Sequence, residues 1–133
     1  MKIGAIDFAD ELALPYAYVR PKPKDHGMKN QIEGELPAGS KVVVVEDLIS
    51  TGGSSLKAVA ALREAGFEVV GMVASYTYGF PVAEEAFREA NVKLATLTDY
   101  EHVVEKALET GYIKESEVSM LHDWRKDPAN WRK

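Results

Sequence analysis

A run of four consecutive valines, followed directly by Glu46, is the feature that most constrains how this chain folds. β-Branched side chains favour extended backbone, and an unbroken apolar run indicates a strand buried on both faces, as in the middle of a parallel sheet. The residues after it predict a turn, a helix with one apolar side and a second apolar strand. The predicted unit has a strand at 41–46, a turn at 47–53, a helix at 54–65 and a strand at 69–76. Its crossover should be right-handed.

The rest of the chain alternates between helical and extended patterns. This alternation predicts a single α/β domain over residues 1–133, with an open, mainly parallel sheet and flanking helices. The further predicted elements are a helix at 3–12, strands at 16–19 and 92–97, and helices at 81–90, 99–109 and 115–124. Residues 20–39 are polar, basic and rich in Pro and Gly, so they are predicted to form one long loop.

Composition excludes several classes of function. The net charge of −5 argues against general affinity for nucleic acid or an anionic membrane. The chain has no cysteine, and its three histidines do not match the spacing of a zinc site. The longest apolar run is too short to cross a bilayer, and the first residues lack the pattern of a signal peptide. A cytoplasmic protein is expected.

The turn after the valine run combines an acid pair with a Gly-rich loop. Ligands of open α/β sheets bind at the carboxyl ends of strands, and a helix N-terminus attracts anions. Gly52 and Gly53 allow the backbone to approach a phosphate closely. Hydroxyl donors are supplied by Ser50, Thr51, Ser54 and Ser55. Glu46 and Asp47 beside such a loop suit a ligand with both a phosphate and vicinal hydroxyls, although a capped helix with exposed acids is the simpler alternative.

The loop is neither a P-loop nor a dinucleotide fingerprint, because it lacks both glycine patterns. The stretch VVVVEDLISTGGSS instead resembles the 5-phosphoribosyl 1-diphosphate (PRPP) signature of type I phosphoribosyltransferases, which have a Rossmann-like fold. The resemblance implies that the two acids hold the ribose hydroxyls and that the loop holds the 5′-phosphate. The implied PRPP-binding residues are Glu46, Asp47, Leu48, Ile49, Ser50, Thr51, Gly52, Gly53 and Ser54.

The loop at 20–39 concentrates positive charge in an acidic protein, which is either a solvated surface or a lid for a polyanion. The stretch YVRPKPKDHGMKNQIEG resembles the flexible catalytic loop of the orotate phosphoribosyltransferase family. The resemblance implies that Arg20, Lys24 and His26 bind the diphosphate, with Lys24 and Asp47 catalytic. It also implies that Ser50 contacts orotate, that Mg²⁺ is held mainly through PRPP, and that the loop reaches the neighbouring site of a homodimer.

The resemblance implies transfer of the phosphoribosyl group from PRPP to orotate, giving orotidine 5′-monophosphate and pyrophosphate in UMP biosynthesis. Family members normally begin well upstream of the first helix, so an N-terminally truncated chain with an incomplete base site is expected. Exposed apolar faces and oligomerisation should follow. Two alternatives are a non-catalytic PRPP- or nucleotide-binding regulatory module and a phosphoribosyltransferase for another base. Tyr76, Tyr78 and Phe80 either line a base pocket or pack in the core.

Overall fold

The computed structural model describes residues 2–21 and 31–131. Within these ranges five α-helices and five strands follow the chain. The helices are α1 (Lys2–Glu11), α2 (Gly53–Glu64), α3 (Pro81–Glu89), α4 (Tyr100–Glu109) and α5 (Glu115–Lys126). The strands are β1 (Tyr18–Val19), β2 (Ile32–Glu33), β3 (Lys41–Ile49), β4 (Glu68–Thr77) and β5 (Leu94–Asp99), and a 3₁₀ turn at Pro128–Asn130 follows α5.

A three-stranded parallel sheet with the order β3-β4-β5 organises these elements. Val44 pairs with Met72, which pairs in turn with Leu94, so the three strands run in one direction with their carboxyl ends at one edge. Helix α2 connects β3 to β4, and α3 connects β4 to β5. The predicted open parallel α/β architecture is confirmed.

The core lies between this sheet and helices α2 and α3. Ile49, Val59 and Met72 are each 1% exposed, and Phe87 of α3 packs in the same cluster. Arg63 of α2 donates hydrogen bonds to the carbonyl oxygens of residues 90 and 91 at 2.7 and 3.1 Å, which ties the end of α3 to α2. Both helices are therefore fixed against one face of the sheet.

The opposite face of the sheet is open in the described part of the chain. Val43 is 51% exposed and Leu97 is 88% exposed. Burial of the valine run on both faces, as the sequence predicted, is therefore wrong here, because the helices on either side of β4 pack on the same face. The expected exposure of apolar sheet surface is present.

Several predicted boundaries are corrected by long-range pairing. β3 extends to Ile49 because its ladder with β4 continues to Thr77, so the predicted turn at 47–53 shortens to 50–52. The predicted loop at 20–39 contains β2, which pairs antiparallel with β1. β5 occupies 94–99 instead of 92–97, since its ladder with β4 begins at Leu94, opposite Met72.

Substitution of Leu97 by lysine should leave the fold intact. This side chain contributes little to the core, so we expect the free energy of unfolding to stay within about 0.5 kcal/mol of the parent value. Light scattering after size-exclusion chromatography should show less concentration-dependent association. Met72→Ala is the control and should cost about 2–5 kcal/mol in a denaturant titration. Equal destabilisation by both substitutions would contradict an open face.

Candidate functional site

The carboxyl end of β3 leads directly into the glycine-rich loop, which we call the phosphate loop (residues 50–54). The amide of Tyr78, just beyond β4, donates to the carbonyl oxygen of Ile49 at 3.1 Å. This bond extends the β3–β4 ladder by one residue past the strands. The start of the loop therefore lies beside the turn that joins β4 to α3.

Gly52 determines the shape of the phosphate loop. It is the N-cap of α2 with φ 80°, and a Cβ atom at this position would lie 2.7 Å from the Phe87 ring. Only glycine satisfies both the left-handed conformation and the close approach of α3. Because the cap has no side chain, the first amides of α2 are not capped by a side-chain oxygen. The helix terminus can therefore accept an anion.

The hydroxyl residues of the loop divide by exposure. Ser50, Thr51 and Ser54 are exposed, whereas Ser55 is 3% exposed. Ser55 thus belongs to the packing of α2, and the other three hydroxyls can reach a ligand. A Cβ atom on Gly53 would meet only the Thr51 hydroxyl, at 4.0 Å, so the protein's own packing does not require glycine there.

The acid pair lies within the last part of β3, ahead of the loop. Glu46 is half-buried and Asp47 is exposed. Asp47 Oδ1 accepts a hydrogen bond from the amide of Leu48 at 2.8 Å, which fixes one carboxylate oxygen. Leu48 is 42% exposed, but the side chain of Ile49 is buried in the core. Of the predicted PRPP-binding residues, Ile49 can therefore contact a ligand only through its backbone.

The basic loop predicted at residues 20–39, which we call the basic segment, is described only at 20–21 and 31–39. Lys24 and His26 lie outside the described residues. Arg20 and Gln31 close a short β-ribbon: the amide of Arg20 donates to the carbonyl of Gln31 at 2.7 Å, and Gln31 Nε2 donates back to the Arg20 carbonyl at 2.8 Å. The Arg20 guanidinium forms an ion pair with Glu33 of β2. Arg20 is thus held at the base of the segment.

An aromatic cluster occupies the carboxyl ends of β4 and β5. Tyr78 stacks on Phe80 at 5.2 Å and meets Tyr76 edge-on at 5.1 Å, while Tyr100 stacks on Trp124 at 5.5 Å. Burial, together with the neighbouring tyrosines, raises the pKa of Tyr76 to about 12. An open cavity of about 400 Å³ borders the cluster and is lined by Tyr78, Tyr100, Met120, Leu121, Trp124 and Trp131. Tyr78 and Phe80 pack against Trp124 of α5, while Tyr78 also lines the cavity.

Arg125 is a residue of this region that the sequence analysis missed. Its Nε donates to the carbonyl of Tyr78 and its Nη2 to the carbonyl of Gly79, both at 2.8 Å. Its Nη1 donates to Glu101 Oε1 at 2.8 Å. The partners are 24 to 47 residues away in the sequence, so no local pattern could reveal these contacts.

The two described histidines each lie beside a carboxylate. His102 Nδ1 lies 2.8 Å from Asp99 Oδ1, and Asp99 also caps α4 by accepting from the His102 amide. These hydrogen bonds lower the pKa of Asp99 and raise the pKa of His102. His122 Nδ1 lies 3.4 Å from Glu101. Both histidines thus serve helix contacts.

Two further properties concern only the described residues, 2–21 and 31–131. Their side chains form no group of three or more His, Cys, Asp or Glu placed to bind a metal ion together. None of their helices has the length and apolar content of a bilayer-spanning segment.

The sheet, the glycine-capped helix and the acid pair define an open α/β protein with a loop suited to phosphate at the carboxyl edge of its sheet. The phosphoribosyl transferase domain model matches residues 5–110, and the chain belongs to that family.

Two relatives refine the comparison, one by its sequence and one by its solved structure. The chain is 69% identical over 123 residues to an orotate phosphoribosyltransferase from Bacteroides thetaiotaomicron, covering 92% of this chain and 58% of that protein. It superposes on the crystal structure of orotate phosphoribosyltransferase from Aeropyrum pernix with a TM-score of 0.70 at 33% identity, covering 83% of this chain and 59% of that one. The chain therefore spans about three-fifths of the length of these relatives.

A third comparison concerns a ligand complex. The structure of Mycobacterium tuberculosis orotate phosphoribosyltransferase in complex with PRPP matches with a TM-score of 0.55 and 31% identity, over 66% of this chain and 49% of that one. The family is thus established by the sequence match and by the fold together.

Alanine at the two loop glycines should separate folding from phosphate binding. Gly52→Ala forces a positive φ and a clash with Phe87, so we expect a loss of about 1–3 kcal/mol in the free energy of unfolding. Gly53→Ala lies in the first turn of α2 without a clash and should keep stability, but its added Cβ should weaken phosphate binding about tenfold. Denaturant titration and calorimetry with ribose 5-phosphate measure the two effects. Equal behaviour of both variants would contradict these roles.

Replacement of Asp99 should return the His102 pKa to near its ordinary value of 6.5. The raised pKa of His102 stabilises the fold at pH below 6.5 and is lost as pH rises through the folded value, whereas the lowered pKa of Asp99 stabilises above pH 3.8 and is lost as pH falls through its folded value. Both contributions are therefore present together between about pH 4 and 6.5.

NMR titration of Asp99→Asn, which keeps a helix cap, measures the shift in the pKa of His102. Glu105→Gln is the control and should have the smaller effect on that pKa. An unchanged His102 pKa in Asp99→Asn would exclude Asp99 as the cause.

Proposed function

We propose that this chain carries the PRPP-binding part of an orotate phosphoribosyltransferase, which transfers the phosphoribosyl group from PRPP to orotate and releases pyrophosphate. The observation that carries the proposal is the N-terminus of α2, which has no side-chain cap and follows, after a three-residue turn, a strand that contains the acid pair in its last part. The names of the relatives at 55–69% identity support orotate as the acceptor. The product, orotidine 5′-monophosphate, belongs to pyrimidine biosynthesis.

The phosphate loop binds the 5′-phosphate in this proposal. Free amides at the start of α2 and the hydroxyls of Ser50, Thr51 and Ser54 donate hydrogen bonds to phosphate oxygens, and the helix dipole favours the negative charge. Ser50 also contacts orotate. Glu46 and Asp47 accept hydrogen bonds from the two ribose hydroxyls, and the exposure of Asp47 leaves it accessible to a ligand.

Charge separation is the main barrier of the reaction. As the bond between ribose C1 and the diphosphate oxygen breaks, positive charge develops on the ribose and negative charge on the leaving group. Lys24, Arg20 and His26 stabilise the negative charge of the leaving diphosphate. The negative charge of the Asp47 carboxylate stabilises the positive charge on the ribose. No covalent nucleophile is needed. Arg20 lies in the β-ribbon, where it is paired with Glu33, and in this proposal a diphosphate competes with Glu33 for the guanidinium.

Mg²⁺ fits this site as a cation held mainly through PRPP. No protein side chain would ligate the metal directly: Glu46 and Asp47 would hold the ribose hydroxyls, and the metal would take its ligands from PRPP oxygens and water, in line with the preference of Mg²⁺ for substrate phosphates. When bound, Mg²⁺ neutralises charge on the diphosphate. We further propose a cytoplasmic homodimer in which the basic segment reaches the neighbouring site.

The rival function is a non-catalytic PRPP- or nucleotide-binding regulatory module. Such a module retains ribose phosphate binding without turnover. A phosphoribosyltransferase for another base is the second alternative, and the choice of acceptor base distinguishes it.

Calorimetric titration with PRPP and Mg²⁺ tests the proposal on the 133-residue chain. Glu46→Ala/Asp47→Ala should weaken binding at least tenfold, because two acceptors of the ribose hydroxyls are lost. Glu64→Ala/Glu89→Ala removes the same charge from exposed helix ends and should bind like the parent. Equal binding by both double variants would exclude the acid pair from the site.

Turnover then decides between enzyme and module. Loss of orotate absorbance with PRPP present, abolished by Lys24→Ala, supports the transferase. PRPP binding without consumption of orotate or of any base in a panel supports the module. Consumption of a different base, without consumption of orotate, identifies a phosphoribosyltransferase for that base.

A further inference from the structure

Arg125 of α5 holds the turn between β4 and α3 by two hydrogen bonds to successive carbonyl groups. Nε donates to the Tyr78 oxygen and Nη2 to the Gly79 oxygen, both at 2.8 Å. The third arm of the guanidinium donates to Glu101 of α4, also at 2.8 Å. A planar guanidinium reaches three acceptors at fixed angles, whereas the single ammonium of lysine has no such fork.

The turn that Arg125 holds has a constrained backbone. Gly79 has φ 62°, its amide donates to Thr77 Oγ1 at 3.0 Å, and a Cβ atom on it would lie 2.9 Å from Arg125 Nη2. The guanidinium therefore occupies the space beside a glycine in a conformation that other residues rarely adopt. The contact of Arg125 with the turn therefore requires glycine at position 79.

Two connections link this turn to the phosphate loop. The Tyr78 amide donates to the carbonyl of Ile49, the last residue before the loop. The turn also leads into α3, whose Phe87 ring packs against Gly52 at the N-cap of α2. A shift of the turn would therefore move both Ile49, at the start of the phosphate loop, and the Phe87 ring that packs against Gly52.

We propose that Arg125 is a positioning residue for the ribose-phosphate site. Its hydrogen bonds go to the turn and to Glu101, so it acts through the turn at Tyr78–Gly79, which fixes Ile49 on one side and Phe87 on the other. The role rests on the proposed function only for the identity of the ligand. The coupling between α5 and the loop is a property of the chain alone.

Two substitutions separate the forked contact from charge. Arg125→Lys keeps the charge beside Glu101 but replaces three donor nitrogens in a fixed fork with a single ammonium nitrogen, and Arg125→Met removes the charge as well. Both should raise the dissociation constant for PRPP with Mg²⁺ about tenfold at a temperature where the variants are fully folded. Tyr100→Phe is the matched control: it removes the hydrogen bond from Tyr100 to the Leu121 carbonyl at 2.9 Å, which also attaches α5, without altering the turn.

Amide hydrogen exchange measured by NMR tests the coupling without any ligand. In Arg125→Lys, the protection of the Tyr78 amide and of the Leu56 amide, which bonds the Gly52 carbonyl at 2.9 Å, should each fall about tenfold. In Tyr100→Phe, the loss should be confined to α5. A merely structural role of Arg125 would lower the melting temperature of all three variants and leave these two amides unchanged.

The two measurements keep this inference distinct from the proposed function. Parent protein that fails to bind PRPP contradicts the proposed ligand, and exchange at Tyr78 and Leu56 still decides the role of Arg125. Parent-like exchange at both amides in Arg125→Lys would overturn the inference, as would PRPP affinity equal to that of the parent in both Arg125 variants. Loss of protection in Arg125→Lys with retention in Tyr100→Phe supports it.

Discussion

The parallel ladder between β3 and β4 is the constraint on which the rest of the structure depends. It continues to the pair Ile49 and Thr77, and the Tyr78 amide extends it by one more bond to the Ile49 carbonyl. Because both strands end at the same level, the acid pair, the phosphate loop and the turn before α3 share one edge of the sheet. A shorter ladder would leave the loop without a fixed starting point.

Gly52 joins the packing of the core to the electrostatics of the loop. Its missing side chain admits the Phe87 ring on one side and leaves the first amides of α2 without a side-chain cap on the other. Filling the position would strain the backbone, displace α3 and alter the anion site together. One residue thus couples stability to ligand binding, whereas Gly53 has no such packing role.

The sequence predicted the features that depend on neighbouring residues. The unit at 41–76 follows from β-branched runs and helical periodicity, and the loop at 50–54 follows from its glycines and hydroxyls. Features that depend on distant partners were missed: the extension of β3 requires β4, β2 requires β1, and Arg125 finds its carbonyl partners 46 and 47 residues away. Local pattern carries no information on which distant group completes a hydrogen bond, so the fold was predictable while the support of its site was not.

The two faces of the sheet have different consequences for the site. The face that carries α2 and α3 buries Ile49, Val59 and Phe87. Ile49 is the residue before the phosphate loop, and the Phe87 ring packs against Gly52 within it. The other face, with Leu97 at its edge, contributes none of these contacts in the described part of the chain. Burial of the open face would stabilise the fold as a whole by about 25 cal/mol for each Å² of apolar surface removed from water. The geometry of the phosphate loop, in contrast, is set by the closed face and by the turn that Arg125 holds.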